Sequence, residues 1–201
     1  MNGQKSGRGT FTSAVTGDVY SGEYAEDDRG GYGVCSYGAG AVYEGAWAAG
    51  QRSGQGTLRQ PDGGSYTGDW LEDMFHGEGQ LISLGPGGGS FEYHGEFRRG
   101  NRHGRGVCRY ADSSMQRYEG AWKDDKPDGL GSLLYSDGKM HDGLFSEGVC
   151  HGFGTLKSAK VKVLLMFFLS HVLTYVAKLH WTKGNCIYRG MFKYGVRHAD
   201  G

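Results

Sequence analysis

Seven Gly-x-Gly pairs recur at intervals of 23 to 27 residues, beginning at Gly7, Gly31, Gly54, Gly77, Gly104, Gly129 and Gly152. Such a pair cradles phosphate when it leads from a strand into a helix N-terminus. None of the seven is followed by a third glycine in dinucleotide spacing or by Gly-Lys-Ser/Thr, so they read as structural glycines. No Gly-x-Ser-x-Gly, His-Glu-x-x-His or paired-carboxylate arrangement occurs, and the sequence assigns neither a catalytic residue nor a cofactor. His76, His103, His151 and His198 recur at equivalent positions. Zinc needs three or four converging ligands and no third is evident, so no metal site is assigned and these histidines read as polar residues flanking turns.

Cys35, Cys108, Cys150 and Cys186 show no C-x-x-C spacing. Cys35 and Cys108 share a column with Leu58, Leu81, Leu133 and Leu156, where a thiol behaves as a small hydrophobe. About three repeats, roughly 30 Å, separate the two, too far for a disulfide. The sharpest charge feature is basic. Arg98, Arg99, Arg102 and Arg105, followed by Arg109 and Arg117, outnumber Glu96 and Asp112. They would suit anionic lipid headgroups or an acidic partner segment, and a solvated edge is the plainer alternative.

What could position such residues is set by composition. The chain has 39 glycines in 201 residues, 13 Tyr, 9 Phe and 4 Trp, and 22 basic side chains balance 22 acidic ones. That glycine content excludes an ordinary helical bundle, and the ring content argues against disorder. Neutrality argues against a nucleic-acid footprint. The polar start MNGQKSGRGT leads to the expectation of a cytoplasmic protein with reduced thiols.

The glycines and rings are periodic. An aromatic followed by x-Gly-x-aromatic opens units at Tyr20, Tyr43, Tyr66, Tyr93, Tyr118, His141 (in place of the aromatic) and Tyr188. The second unit keeps Gly45, Trp47, Gly50, Gly54 and Gly56 at offsets two, four, seven, eleven and thirteen from Tyr43, and the others hold that register. Asp73 and Asp125 replace the middle glycine. Alternation places Tyr43, Gly45 and Trp47 on one face of a strand, with Glu44 and Ala46 on the other. Each unit reads as a hairpin in which rings lie across glycines of neighbouring strands. Links such as Pro61–Gly64 and Ser136–Gly138 carry tight-turn chemistry.

The pattern Y-x-G-x-W-x-x-G-x-x-x-G-x-G resembles the MORN (membrane occupation and recognition nexus) repeat. The expected fold is all-β: an elongated single-layer antiparallel sheet of repeated hairpins, about 65 Å long over seven units. The array occupies 1–154, an apolar insertion 155–187, and a truncated final repeat 188–201. The stretch from Val163 to Leu179, within 161–181, is expected to form an apolar helix, with burial on the sheet, membrane spanning and a transcript-derived insertion left open. A single-layer sheet would leave its ring face uncovered, so something is expected to lie on it. The resemblance implies a non-catalytic scaffold of cytoskeletal, axonemal or membrane-associated assemblies. Tyr43, Trp47, Tyr66, Trp70, Tyr93, Phe97, Tyr118 and Trp122 are the expected contacts for a partner protein, with a helical segment or a second copy as occupant. Peripheral binding to anionic phospholipids through Arg98, Arg99, Arg102 and Arg105 is the alternative.

Overall fold

The computed structural model describes residues 4–85, 89–111 and 113–158, and beyond them the backbone of three strands at 178–182, 185–193 and 196–197. Two compact units divide the chain, Met1–Gly104 and Arg105–Gly201.

In the six repeats from Tyr20 to His141 the sixth and seventh positions form a two-residue turn with both φ angles positive. Ala49 and Gly50 take 48° and 77°, Glu72 and Asp73 take 50° and 64°, and Asp124 and Asp125 take 47° and 68°. Two positive φ angles are the condition of the type I′ turn, whose twist matches that of the strands it joins. Aspartate tolerates the left-handed region better than most residues, so Asp73 and Asp125 preserve the turn they seemed to interrupt. Between repeats the turns are longer and close as their composition implies: Gln60 N–H donates to Gly64 O at 2.7 Å, and Tyr135 N–H to Lys139 O at 2.8 Å.

The first unit carries β1 (Gly7–Thr12), β2 (Val19–Ala25), β3 (Asp28–Ser36), β4 (Val42–Ala48), β5 (Gln51–Arg59), β6 (Ser65–Leu71), β7 (Met74–Ser83), β8 (Phe91–Arg98) and the start of β9 (Asn101–Tyr110). They pair in chain order. The second unit carries the remainder of β9, then β10 (Met115–Lys123), β11 (Lys126–Tyr135), β12 (Met140–Ser146) and β13 (Val149–Ser158). Three further strands follow, β14 (Lys178–Thr182), β15 (Asn185–Lys193) and β16 (Val196–Arg197), with β15 pairing β13, β14 and β16. The pairings for which a register is defined are all antiparallel, and no helix occurs among the described residues. The helix expected within 161–181 falls outside the described residues up to 177, and Lys178–Thr182 is strand. The array also runs past residue 154. Leu156 stands opposite His141 on one side and Tyr188 on the other, so the ladder continues to Ser158.

Register lines up the glycines across the sheet. Gly33 pairs with Gly45, Gly45 with Gly56, and Gly56 with Gly68 in the first unit; Gly120 pairs with Gly131, and Gly131 with Gly143, in the second. The rings lie over this row. A Cβ on Gly45 would stand 2.5 Å from Gly56 Cα and 2.6 Å from Tyr43 Oη, so no other residue fits there. A register shift beyond each glycine frees a carbonyl, and the tyrosine hydroxyl takes it: Tyr43 Oη donates to Ala46 O at 2.9 Å and Tyr118 Oη to Ala121 O at 2.8 Å. The indoles reach back, with Trp70 Nε1–H donating to Gly56 O at 3.1 Å. Rings tile edge to face along each unit. Tyr43 meets Trp47 and Trp70 at centroid distances of 5.1 Å, and Tyr118 meets Trp122 at 5.1 Å and Phe145 at 5.0 Å. This geometry is favourable for aromatic pairs. Tyr43, Tyr66 and Tyr93 are at most 1% exposed. The rings bury one another against glycine backbone, and a second layer is not needed to cover them.

Candidate interaction surface

The eight rings expected to meet a partner, Tyr43, Trp47, Tyr66, Trp70, Tyr93, Phe97, Tyr118 and Trp122, are all buried and form the core. Burial raises the Tyr43, Tyr66 and Tyr118 hydroxyls well above the ordinary phenol range, so they stay neutral donors. Above them stand the side chains nine positions after the leading aromatics, Arg29, Arg52, Phe75 and Arg102, and Pro127 and Cys150 hold the same repeat position.

Three of these are cations stacked on the rings. The Arg29 guanidinium lies 4.2 Å from the Trp47 ring centre and 5.7 Å from that of Tyr20. Arg52 repeats the geometry one unit on, 4.3 Å from Trp70 and 5.7 Å from Tyr43. Arg102 lies 4.8 Å from Phe91 and 5.8 Å from Tyr93. Phe75 occupies the same position as a ring, stacked on Tyr66 at 3.8 Å and 15°. Arg52 is also ion-paired: its Nε–H donates to Asp73 Oδ1 at 2.7 Å and an Nη to the Asp73 carbonyl at 2.9 Å.

Two clefts open on this side of the first unit. One, of about 310 Å³, is lined by Lys5, Phe11, Tyr24, Asp28, Arg29 and Cys35 among others. The second, also about 310 Å³, lies among Leu58, Tyr66, Phe75, Leu81 and Leu84. The aligned repeats already spell Arg, Arg, Phe, Arg at position nine, and that column was the available signal for these residues. In the sequence Arg29 follows Glu26, Asp27 and Asp28, which cancel its charge, and Arg52 is a lone charge between Glu44 and Arg59, so neither forms a basic cluster.

The four arginines of the basic cluster do not share one role. Arg98 ends β8 and Arg99 occupies the turn with φ 51°, both exposed. Arg102 belongs to the ring-stacked row, and Arg105, on the second unit's part of β9, is exposed. The histidines sit within strands, beside the register shift. His76 pairs with Asp69, and its carbonyl accepts from Tyr66 Oη at 3.3 Å; that of His103 accepts from Tyr93 Oη at 3.4 Å. His198 lies outside the described residues. Among the described residues no three His, Cys, Asp or Glu converge as metal ligands. Cys35, Cys108 and Cys150 are buried thiols in no disulfide, and burial pushes the Cys35 and Cys150 pKa values up. No helix among the described residues is long and apolar enough to cross a membrane.

The opposite side of the sheet is chemically mixed. In the first unit Thr57 and Thr67 hydroxyls meet at 3.1 Å, and Gln55 bonds Asp69. In the second unit the positions of Gln55 and Asp69 become apolar, with Leu130 opposite Leu144 and Phe153 on the next strand, while Ser132 opposite Asp142 stays polar.

The family model for the MORN repeat matches residues 1–15, 20–42, 43–65, 66–83, 93–115, 118–140 and 141–160. The chain is 32% identical over 114 residues to the ALS2 C-terminal-like protein of Homo sapiens, a match covering 47% of this chain and 11% of that protein. The Mus musculus protein of the same name is 32% identical over 106 residues, covering 47% and 10%. Alsin of Homo sapiens is 36% identical over 72 residues, covering 34% and 4%. The matches thus span about a tenth or less of the length of these relatives.

Proposed function

This chain belongs to the MORN repeat family, and we propose that it is a non-catalytic interaction module whose aromatic side holds a helical segment of a partner protein. The observation that carries this reading is the half-buried row at position nine, in which Arg29, Arg52 and Phe75 rise above a closed ring core. Successive units are two strands apart, about 9.6 Å. Residues seven apart on a helix are separated by about 10.5 Å. A helix laid across the strands would therefore meet one position-nine side chain with every second turn, as helix-in-groove recognition requires. The family resemblance further suggests a cytoplasmic assembly of the cytoskeleton or axoneme. A photo-crosslinking amino acid at Phe75 should yield a defined adduct to a peptide with apolar residues seven apart, while the same group at Thr57, on the other side, should not. Adducts from Thr57 alone would overturn the reading.

The exposure of Arg98, Arg99 and Arg105 supports peripheral binding to anionic phospholipids as the second reading. Exposed charges are screened by salt, so liposome flotation should then fall steeply with ionic strength and vanish when these three are changed to Glu. Flotation unchanged by that triple substitution would remove this patch as a lipid site.

A further inference from the structure

Arg29 and Arg52 are equivalent residues in equivalent places, yet only one is completed. Both guanidiniums stack on the indole of the following unit, at 4.2 Å on Trp47 and 4.3 Å on Trp70. Both backbone carbonyls accept the N–H of the same turn position, Gly50 at 2.9 Å and Asp73 at 3.1 Å. Asp73 then turns its carboxylate onto Arg52 Nε at 2.7 Å. Gly50 has no side chain to do the same. Among the described residues Arg29 forms no ion pair; its one polar side-chain contact is Nη1 to Cys35 Sγ at 3.8 Å.

The surroundings do not fill the gap. Asp18 accepts from Gly38 N–H and Asp27 from Lys5 N–H, both at 2.8 Å, so each has an oxygen committed to backbone. Asp28 lies beside Gly50, with Oδ1 3.6 Å from where a Cβ would stand, and forms no ion pair with Arg29 within 4 Å. A second cation, Lys5, lines the same cleft, its Nζ 5.0 Å from the Phe11 ring centre. A guanidinium held in a plane by stacking presents its edge for bidentate contact with a carboxylate.

We propose that the cleft at Arg29 and Lys5 is a carboxylate-binding site that an Asp or Glu side chain of a bound polypeptide completes, as Asp73 completes Arg52 within the chain. This rests on the aromatic side being the docking face, and it names the acidic chemistry that a segment docked at its first repeat would carry.

The test follows the Arg29 Nε–H resonance by NMR in the full chain, titrated with blocked tetraglutamate, blocked tetraglutamine and inorganic phosphate at constant ionic strength. Tetraglutamate should shift that resonance and tetraglutamine should not. Asp28→Gln combined with Gly50→Asp copies the Gln51, Arg52 and Asp73 arrangement and should abolish the shift. Asp73→Gly should create a new response at Arg52. No response in the unaltered chain overturns the proposal, as does a response that survives the double substitution. Phosphate binding as tightly as tetraglutamate overturns the polypeptide source. If Phe75 still crosslinks a helical peptide while Arg29 ignores tetraglutamate, this proposal fails and the docking face stands.

Discussion

Strand β4 sends Tyr43, Gly45 and Trp47 to one side and Glu44, Ala46 and Ala48 to the other, and the two sides obey different rules. On the ring side each residue is fixed by contact: the hydroxyl has its carbonyl, and the glycine has no room for a methyl group. On the other side the same positions change chemistry from repeat to repeat. Gln55 faces Asp69 and an Arg59–Glu44 pair spans 3.6 Å in the first unit, whereas Leu130 faces Leu144 in the second. The fold is therefore specified by one side of the sheet, which leaves the other free to vary without loss of register. Register in a sheet is set by its buried face, which is why this division is stable.

The comparison breaks most visibly at the indoles. Trp70→Ala removes a buried ring that touches Tyr43 and Tyr66 and leaves the Gly56 carbonyl without its donor. It should cost about 3–5 kcal/mol, measured by thermal or urea denaturation. Gly45→Val comes next, at about 1–3 kcal/mol, because the new side chain collides with the Gly56 backbone and overpacking outweighs the gain in strand propensity. Thr57→Val, on the far side of the neighbouring strand, should change stability by no more than about 0.5 kcal/mol. Equal losses from Gly45→Val and Thr57→Val would erase the distinction between the two sides.

The ring side was legible in the sequence because its rule is local: alternation along one strand and a fixed glycine count between aromatics. Asp73 and Asp125 looked like departures only because the turn was sought as glycine and not as a left-handed backbone. Arg29 and Arg52 were passed over because an arginine in a sequence carries charge but no direction; their stacking depends on Trp47 and Trp70, each contributed by the following unit. The extent of β13 was hidden for a similar reason. Leu156 pairs with Tyr188, more than thirty positions later, and no local pattern announces that contact.

His141 sharpens the comparison at the ring side's weakest point. It stands where other repeats place tyrosine, opposite Leu133 and Leu156, with Phe145 at 5.3 Å. Burial, opposed by the nearby Asp142 carboxylate, holds its pKa below the usual histidine value. The unfolded chain therefore takes up a proton at a higher pH than the folded one. Its contribution to stability is full above the unfolded value near 6.5 and declines as pH falls below it. His141→Tyr should remove that acid-side decline and gain about 0.5–1.5 kcal/mol if the hydroxyl finds the carbonyl used by the other tyrosines. Melting curves at pH 7.5 and 5.5 read both effects. An unchanged pH slope in the variant would show that His141 is not the group responsible.

The smallest effect belongs to the far side of the second unit. Leu130 is 71% exposed, so most of its apolar surface already meets water and little transfer energy is lost with it. The same position holds Gln55 and Glu78 in the first unit, which shows that the backbone there accepts polar side chains. Leu130→Ser should therefore shift stability by about 0.5 kcal/mol or less, an order of magnitude below Trp70→Ala. A loss approaching that of the indole would mean that Leu130 and Leu144 belong to a packed layer. The second unit would then be specified from both sides, and the rule drawn from β4 would hold for the first unit alone.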